Sequence, residues 1–105
     1  MKEIFVVQVE ASPDGTKQSI DEFGGAYINV YTTELNIRNA IDIAESEVLE
    51  AGWRTKRVLS ATLNTADDFS DDDAGLQYFE QALLDGVVVV VHTFPPQHTE
   101  TDLFH

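Results

Sequence analysis

The most apolar stretch of the chain is a run of five valines, Val87 to Val91. β-branched side chains fit a pleated strand better than a helix, and an unbroken apolar run indicates burial on both faces. The run therefore predicts a central β-strand that begins after Gly86 and ends before Pro95-Pro96. Because the same run on an exposed edge would template aggregation, we expect the rest of the fold or a second copy of the chain to cover it.

The remaining elements follow from two other hydrophobic patterns. Apolar and polar residues alternate in two segments before the first helix, which is typical of strands. Asn36 is suited to cap a helix, and Gly52 and Gly86 stand where helices with regularly spaced apolar residues would end. The predicted order is ββαβαβ, with strands at 3–11 and 26–33, a helix at 36–51, a strand from Trp53 through Leu63, a helix at 74–85 and the valine strand. The predicted core stripes of the helices are Ile37, Ile41, Ala44 and Val48, and Leu76, Phe79 and Leu83.

Four strands and two helices in a chain of 105 residues predict one α+β domain. We expect a two-layer sandwich in which a four-stranded sheet carries both helices on one face, related to ferredoxin-like folds. The domain is predicted to span residues 1–96, because Pro95-Pro96 stops regular structure. Residues 97–105 are predicted to form a polar C-terminal tail.

The sheet face opposite the helices is the predicted binding surface. Alternation in the second strand directs Ile28 and Val30 towards the helices and the tyrosines away from them. By the same parity, Val58 and every second residue of the valine strand lie beside the tyrosines. An apolar stripe flanked by tyrosines is typical of a subunit interface or a shallow pocket, and we favour the interface because the valine strand needs cover. The candidate binding residues are Tyr27, Asn29, Tyr31, Lys56, Val90 and His92.

Charge limits the partners of this surface. Nineteen acidic residues against six basic ones give a formal net charge of −13. Such a field repels nucleic-acid phosphates and anionic membranes, so neither is an expected partner, whereas a protein with a basic surface is compatible with it. The chain has no cysteine, which excludes disulfides and thiolate metal sites. No segment resembles a signal peptide or a membrane helix, so we expect a cytoplasmic protein.

An acidic segment, Asp67 to Asp73, invites comparison with calcium-binding loops. When the loop pattern starts at Asp68, the first ligand positions are filled, but Asp73 stands where glycine is required and Phe79 where the closing glutamate belongs. The segment is therefore predicted to be the solvated start of the second helix, capped by Ser70 or an aspartate. We expect no metal and no other cofactor.

Three histidines complete the candidate chemistry. His92 ends the valine strand and could face a ligand, although a structural hydrogen bond is the simpler interpretation. His98 and His105 lie in the tail at a spacing that matches no metal motif. No arrangement for nucleophilic or acid–base catalysis is recognisable, so no catalytic residue is assigned.

Three segments carry a resemblance: residues 22–31 (EFGGAYINVY), 75–86 (GLQYFEQALLDG) and 92–95 (HTFP). On these segments the chain resembles small uncharacterised acidic bacterial proteins of about this length, of the kind found among the products of mobile integron gene cassettes. The resemblance covers most of residues 1–96 and rests on no catalytic signature. It therefore implies no activity and no residue role.

These patterns predict a non-enzymatic binding or regulatory module that acts as a homodimer, joined through the sheet face or an edge strand. One alternative is a small-molecule-binding protein or enzyme with a pocket around Tyr27, Tyr31, Lys56 and His92. A second alternative is an acidic inhibitor or immunity-type protein that occupies a basic surface, an interpretation supported by net charge alone.

Overall fold

A computed structural model describes residues 2–96 as an α+β domain built on a four-stranded antiparallel sheet. The elements follow the predicted order ββαβαβ, so the predicted α+β class with a four-stranded sheet and two helices is confirmed, while its closer relation to ferredoxin-like folds stays a prediction. Residues 97–105, which include the predicted tail with His98 and His105, lie outside the described residues. The elements are β1 (Glu3–Pro13), β2 (Gly25–Thr32), α1 (Ile37–Glu50), β3 (Trp53–Thr65), a 3-10 helix (Ala66–Phe69), α2 (Asp73–Asp85) and β4 (Val87–Phe94).

The sheet has the strand order β3-β1-β2-β4, and every neighbouring pair is antiparallel. The valine strand β4 therefore lies at an edge, and its predicted central position is wrong. The apolar run has a different cause, because Val87 and Val89 pack against the cluster around α1, whereas Val88 and Val90 pack against the cluster around α2. Side chains of a strand alternate between its two faces, so a strand with a helix on each face needs apolar residues at odd and at even positions. This holds for an edge strand as well as for a central one.

The two helices cover opposite faces of the sheet. Val7, Val30 and Val89 form a row across three strands and pack in the cluster that contains α1. The next row, one residue along each strand, points the other way and includes Tyr31, which packs with Phe79 of α2. The prediction that both helices share one face is therefore wrong. The handedness rule applies to α1, which joins the parallel strands β2 and β3, but not to α2, which joins the antiparallel strands β3 and β4.

Both helices begin and end close to the predicted positions. The side chain of Asn36 accepts a hydrogen bond from the second backbone N–H of α1 at 2.9 Å. Asp72 accepts one from the third residue of α2, also at 2.9 Å. Gly52 and Gly86 follow the two helices with φ angles of +93° and +90°, a left-handed conformation that glycine adopts without strain.

The buried helix stripes agree in part with the prediction. Ile37 is 51% exposed because it occupies the first position of α1, and Ala40, one turn further on, is fully buried. On α2, Phe79 is buried as predicted, whereas Leu76 and Leu83 are half-buried. Within residues 2–96, neither helix is long and apolar enough to cross a membrane.

Two β-bulges shift β3 against β1. The register omits Leu59 and then Lys56, so each is an extra residue on the bulged strand. A one-residue shift reverses which face the following side chains occupy. Val58, predicted on the face with the tyrosines, pairs with the core residue Val9 and therefore lies on the α1 face.

Candidate functional site: a sheet edge and a cavity

Five of the six predicted site residues share one face of the sheet. The register pairs Tyr27 with His92 and Asn29 with Val90, and Tyr31 follows at the same parity. Helix α2 packs over the Tyr31 end of this face, whereas neither helix of residues 2–96 covers the Tyr27 end. The predicted binding surface is therefore divided into a covered half and an open half.

The covered half is part of the core. Tyr31 is 6% exposed, and its ring centroid lies 5.6 Å from that of Tyr78 and 6.1 Å from that of Phe69. Burial raises the pKa of the Tyr31 hydroxyl, and the nearby charge of Asp72 raises it further. Val90 is half-buried in the same cluster. Sequence parity found the shared face but could not reveal that α2 covers part of it.

The open half of the face leads to a cavity of about 620 Å³ at the end of the sheet. Tyr27 and Phe94 provide aromatic surface, with ring centroids 5.4 Å apart. Glu10, Ser12 and Lys56 provide polar groups. The volume lies within the range of small-molecule sites, and the lining combines aromatic surface with polar groups that could orient a ligand.

The predicted pocket residues are only partly brought together. Tyr27 and Lys56 line the cavity. Tyr31 lies under α2, and His92, although exposed and opposite Tyr27, is outside the lining formed by the described residues. The pocket is therefore built mainly from the end of β1 and the connection before β2, whereas β2, β3 and the valine strand each contribute one side chain.

Glu10 organises the charges at the cavity. Its Oε1 atom lies 3.0 Å from Arg57 Nε, and its Oε2 atom lies 3.6 Å from Lys56 Nζ. The Glu10 side chain is 18% exposed, whereas the Lys56 and Arg57 side chains are 53% and 64% exposed. Because Arg57 makes the shorter contact, Lys56 is the cation with more freedom to meet a ligand. Glu10 carries no local sequence signal for this role, since only the pairing of β1 with β3 brings it to these cations.

Among residues 2–96, no strand pairs with the outer edge of β4, and from Gly86 to Pro96 this edge carries no Asp, Glu, Lys or Arg. The carbonyl oxygens of Gly86 and Phe94 accept hydrogen bonds from the β2 side, at 3.1 and 2.8 Å. Backbone groups of an antiparallel strand point to alternate sides, so those of the odd-numbered residues between them point away from β2, to the free edge. These outward residues are Val87, Val89, Val91 and Thr93.

The opposite edge of the sheet has different properties. β3 carries two bulges and the three cations Arg54, Lys56 and Arg57. Bulges and charged side chains are the devices by which proteins prevent edge strands from pairing with other chains. As far as residues 2–96 show, the sheet therefore has one protected edge, β3, and one edge that is open to pairing, β4.

The acidic segment serves the chain's own helix starts. Asp68 accepts a hydrogen bond from the backbone N–H of Thr65 at 2.8 Å, and Asp72 caps α2. These contacts agree with the predicted helix start. Across residues 2–96, no three histidine or acidic side chains come together in a group that could hold a metal ion.

Comparisons with family models, with curated proteins and with solved structures found no match to this chain.

Proposed function

We propose that the protein is a small non-enzymatic binding or regulatory module that works as a homodimer, joined through the β4 edges of two copies. The observation that carries the proposal is the position of an uncharged valine strand at a sheet edge that no other strand of residues 2–96 pairs with. An edge strand presents unpaired backbone N–H and C=O groups, which favours pairing with a further strand.

Charge makes a second copy a suitable occupant of this edge. Two chains with a net charge of −13 repel each other over most of their surfaces. The β4 edge contributes no charge to that repulsion, and close approach there buries half-exposed valines. The edge is also self-complementary, because every outward residue is able both to donate and to accept a backbone hydrogen bond.

The proposal is tested by placing a lysine on each edge in turn. Val91 and Val58 are both 37% exposed, and they stand at the two ends of one row that crosses the sheet through Val9 and Ile28. Val91→Lys puts a charge on the β4 edge and should convert the dimer to a folded monomer. Val58→Lys makes the same chemical change on the β3 edge and should leave the dimer intact.

Light scattering after size exclusion gives the mass of each variant, and circular dichroism reports whether it is folded. Loss of the dimer in both variants, or in neither, would contradict pairing through β4. A wild-type protein that is monomeric throughout would contradict the proposed dimer itself.

A second candidate function is small-molecule binding in the cavity beside Tyr27. It is favoured by the aromatic surface of Tyr27 and Phe94 next to Lys56, the more weakly held of the two cations at Glu10. This combination suits a small aromatic carboxylate, whose ring would stack on the aromatic surface while its carboxylate pairs with the ammonium group.

A nuclear magnetic resonance titration with benzoate tests this second candidate. Benzoate should shift the amide signals of Ser12 and Gly24 at the cavity, and benzyl alcohol should shift them much less. Lys56→Gln should weaken the benzoate effect several-fold. Equal responses to the acid and the alcohol, or no saturable response at these residues, would eliminate this candidate and leave the dimer proposal untouched.

A further inference from the structure

We infer that the two β4 strands of the dimer pair antiparallel in a register centred on Val90, so that two four-stranded sheets join into one sheet of eight strands. This inference rests on the proposed dimer and specifies its geometry. It follows from which backbone groups of β4 are free and from where the strand ends.

The free backbone groups fix the parity of the pairing. Gly86 and Phe94 use their carbonyl groups towards β2, so the even-numbered residues of β4 face inward and the odd-numbered ones face outward. Outward residues must pair with outward residues for hydrogen bonds to form across the new interface. In an antiparallel pair, the residue numbers of two opposite residues always add up to the same sum. Because the outward residues of both copies are odd-numbered, this sum must be even.

Among the even sums, one register uses every outward residue. With the centre at Val90, Val87 lies opposite Thr93 of the second copy and Val89 lies opposite Val91 of the second copy, and each relation occurs twice. These four pairs form about eight hydrogen bonds. A register centred on Val89 or on Val91 omits one pair and forms about six.

The ends of the strand support the same centre. Regular strand ends at Phe94, and the following Pro95 has no N–H to donate. Before Val87, the chain is in Gly86 and then in α2, which ends at Asp85. The pairing edge is thus limited on both sides, and Val90 is its midpoint.

The register also determines what surrounds the cavity. A two-fold axis perpendicular to the sheet keeps the α2 helices of both copies on the same face. Phe94, which lines the cavity, then lies opposite Gly86 of the second copy, at the end of that copy's α2. Each cavity therefore lies beside the dimer interface.

Single cysteines test this register cleanly because the chain has none of its own. Val90 and its symmetry mate form a pair without mutual hydrogen bonds, with Cα atoms about 4.5 Å apart, which suits a disulfide. Val88 is equally half-buried on the same face, but its symmetry mate is about 13 Å away along the strands. Val90→Cys should form a covalent dimer under mild oxidation, and Val88→Cys should remain monomeric on a non-reducing gel.

A mixture of two other single-cysteine variants tests the same register independently, in case Val90→Cys distorts the protein. In the proposed register Val88 lies opposite His92 of the second copy, so an equilibrated mixture of Val88→Cys and His92→Cys chains should form disulfide-linked heterodimers. Neither variant alone should form the corresponding homodimer.

The outcomes separate this inference from the proposal on which it rests. Two outcomes would overturn the register and leave the dimer standing, provided that light scattering shows a dimer. In the first, Val88→Cys chains form a disulfide on their own. In the second, neither Val90→Cys chains nor the Val88→Cys and His92→Cys mixture form one. A monomer by light scattering would overturn the dimer itself.

Discussion

The tyrosine pair on β2 gives the sharpest test of how α2 divides the sheet face. Tyr27 and Tyr31 lie on one strand with their side chains on the same face. Tyr27 is 44% exposed, whereas Tyr31 is 6% exposed under α2. Replacing each with glutamate makes the same chemical change in two different environments.

The expected cost of Tyr31→Glu is large. Loss of a buried aromatic side chain costs about 3–5 kcal/mol. The new carboxylate adds the penalty of an unpaired charge among the rings of Tyr78, Phe69 and Phe79, and no described cation makes an ion pair there. Because a domain of this size is stable by about 5–15 kcal/mol, Tyr31→Glu should be partly or wholly unfolded at neutral pH. Tyr27→Glu loses a contact with Phe94 and should cost about 1 kcal/mol or less.

Urea unfolding measures the difference directly. Trp53 is the single tryptophan and is 2% exposed, so its fluorescence reports on the intact core. The stability lost in Tyr31→Glu should be partly recovered as the pH falls, because burial raises the pKa of the introduced carboxyl and favours its neutral form. Equal stabilities of the two variants at neutral pH would refute the assignment of Tyr31 to the core.

Three further predictions concern single positions. Burial raises the pKa of Glu47, and the neighbouring Glu50 raises it further, so the folded state holds this proton more tightly than the unfolded state. Glu47 therefore disfavours folding at neutral pH and does so less as the pH falls through its raised pKa. Because water screens this partly exposed carboxylate, Glu47→Gln should stabilise the protein only slightly at pH 7 and should flatten that part of the stability profile. Gly52→Ala should lower the melting temperature more than Gly15→Ala does. Both glycines have positive φ, but a Cβ on Gly52 would lie 2.5 Å from a lysine side-chain carbon, whereas a Cβ on Gly15 would meet open space. Calorimetric titration with Ca²⁺ should give only weak, salt-screened heats at the acidic segment, and a saturable micromolar site lost in Asp72→Asn would contradict this.

Local features were predictable from the sequence because they depend on neighbouring residues. The cap at Asn36, the helix end at Gly86 and the opposite faces of Tyr27 and Ile28 each follow from a few adjacent positions. The same holds for the order of strands and helices along the chain, which follows from hydrophobic periodicity.

Long-range features were not predictable in the same way. The valine run indicates burial on both faces of β4, but burial by two helices and burial within a sheet give the same pattern, so the edge position was missed. The bulge at Leu59 places Val58 on the α1 face, and no residue near it announces the shift. Tyr31 belongs to the core only because α2 crosses the second face, which no local pattern determines.

The dimer is the central claim, and the mass of the wild-type protein in solution tests it most directly. Light scattering coupled to size exclusion, over a concentration series from micromolar upwards, should give twice the 11.7 kDa mass of one chain. A mass of one chain at every concentration would contradict the claim, because the β4 edge would then not pair with a second copy.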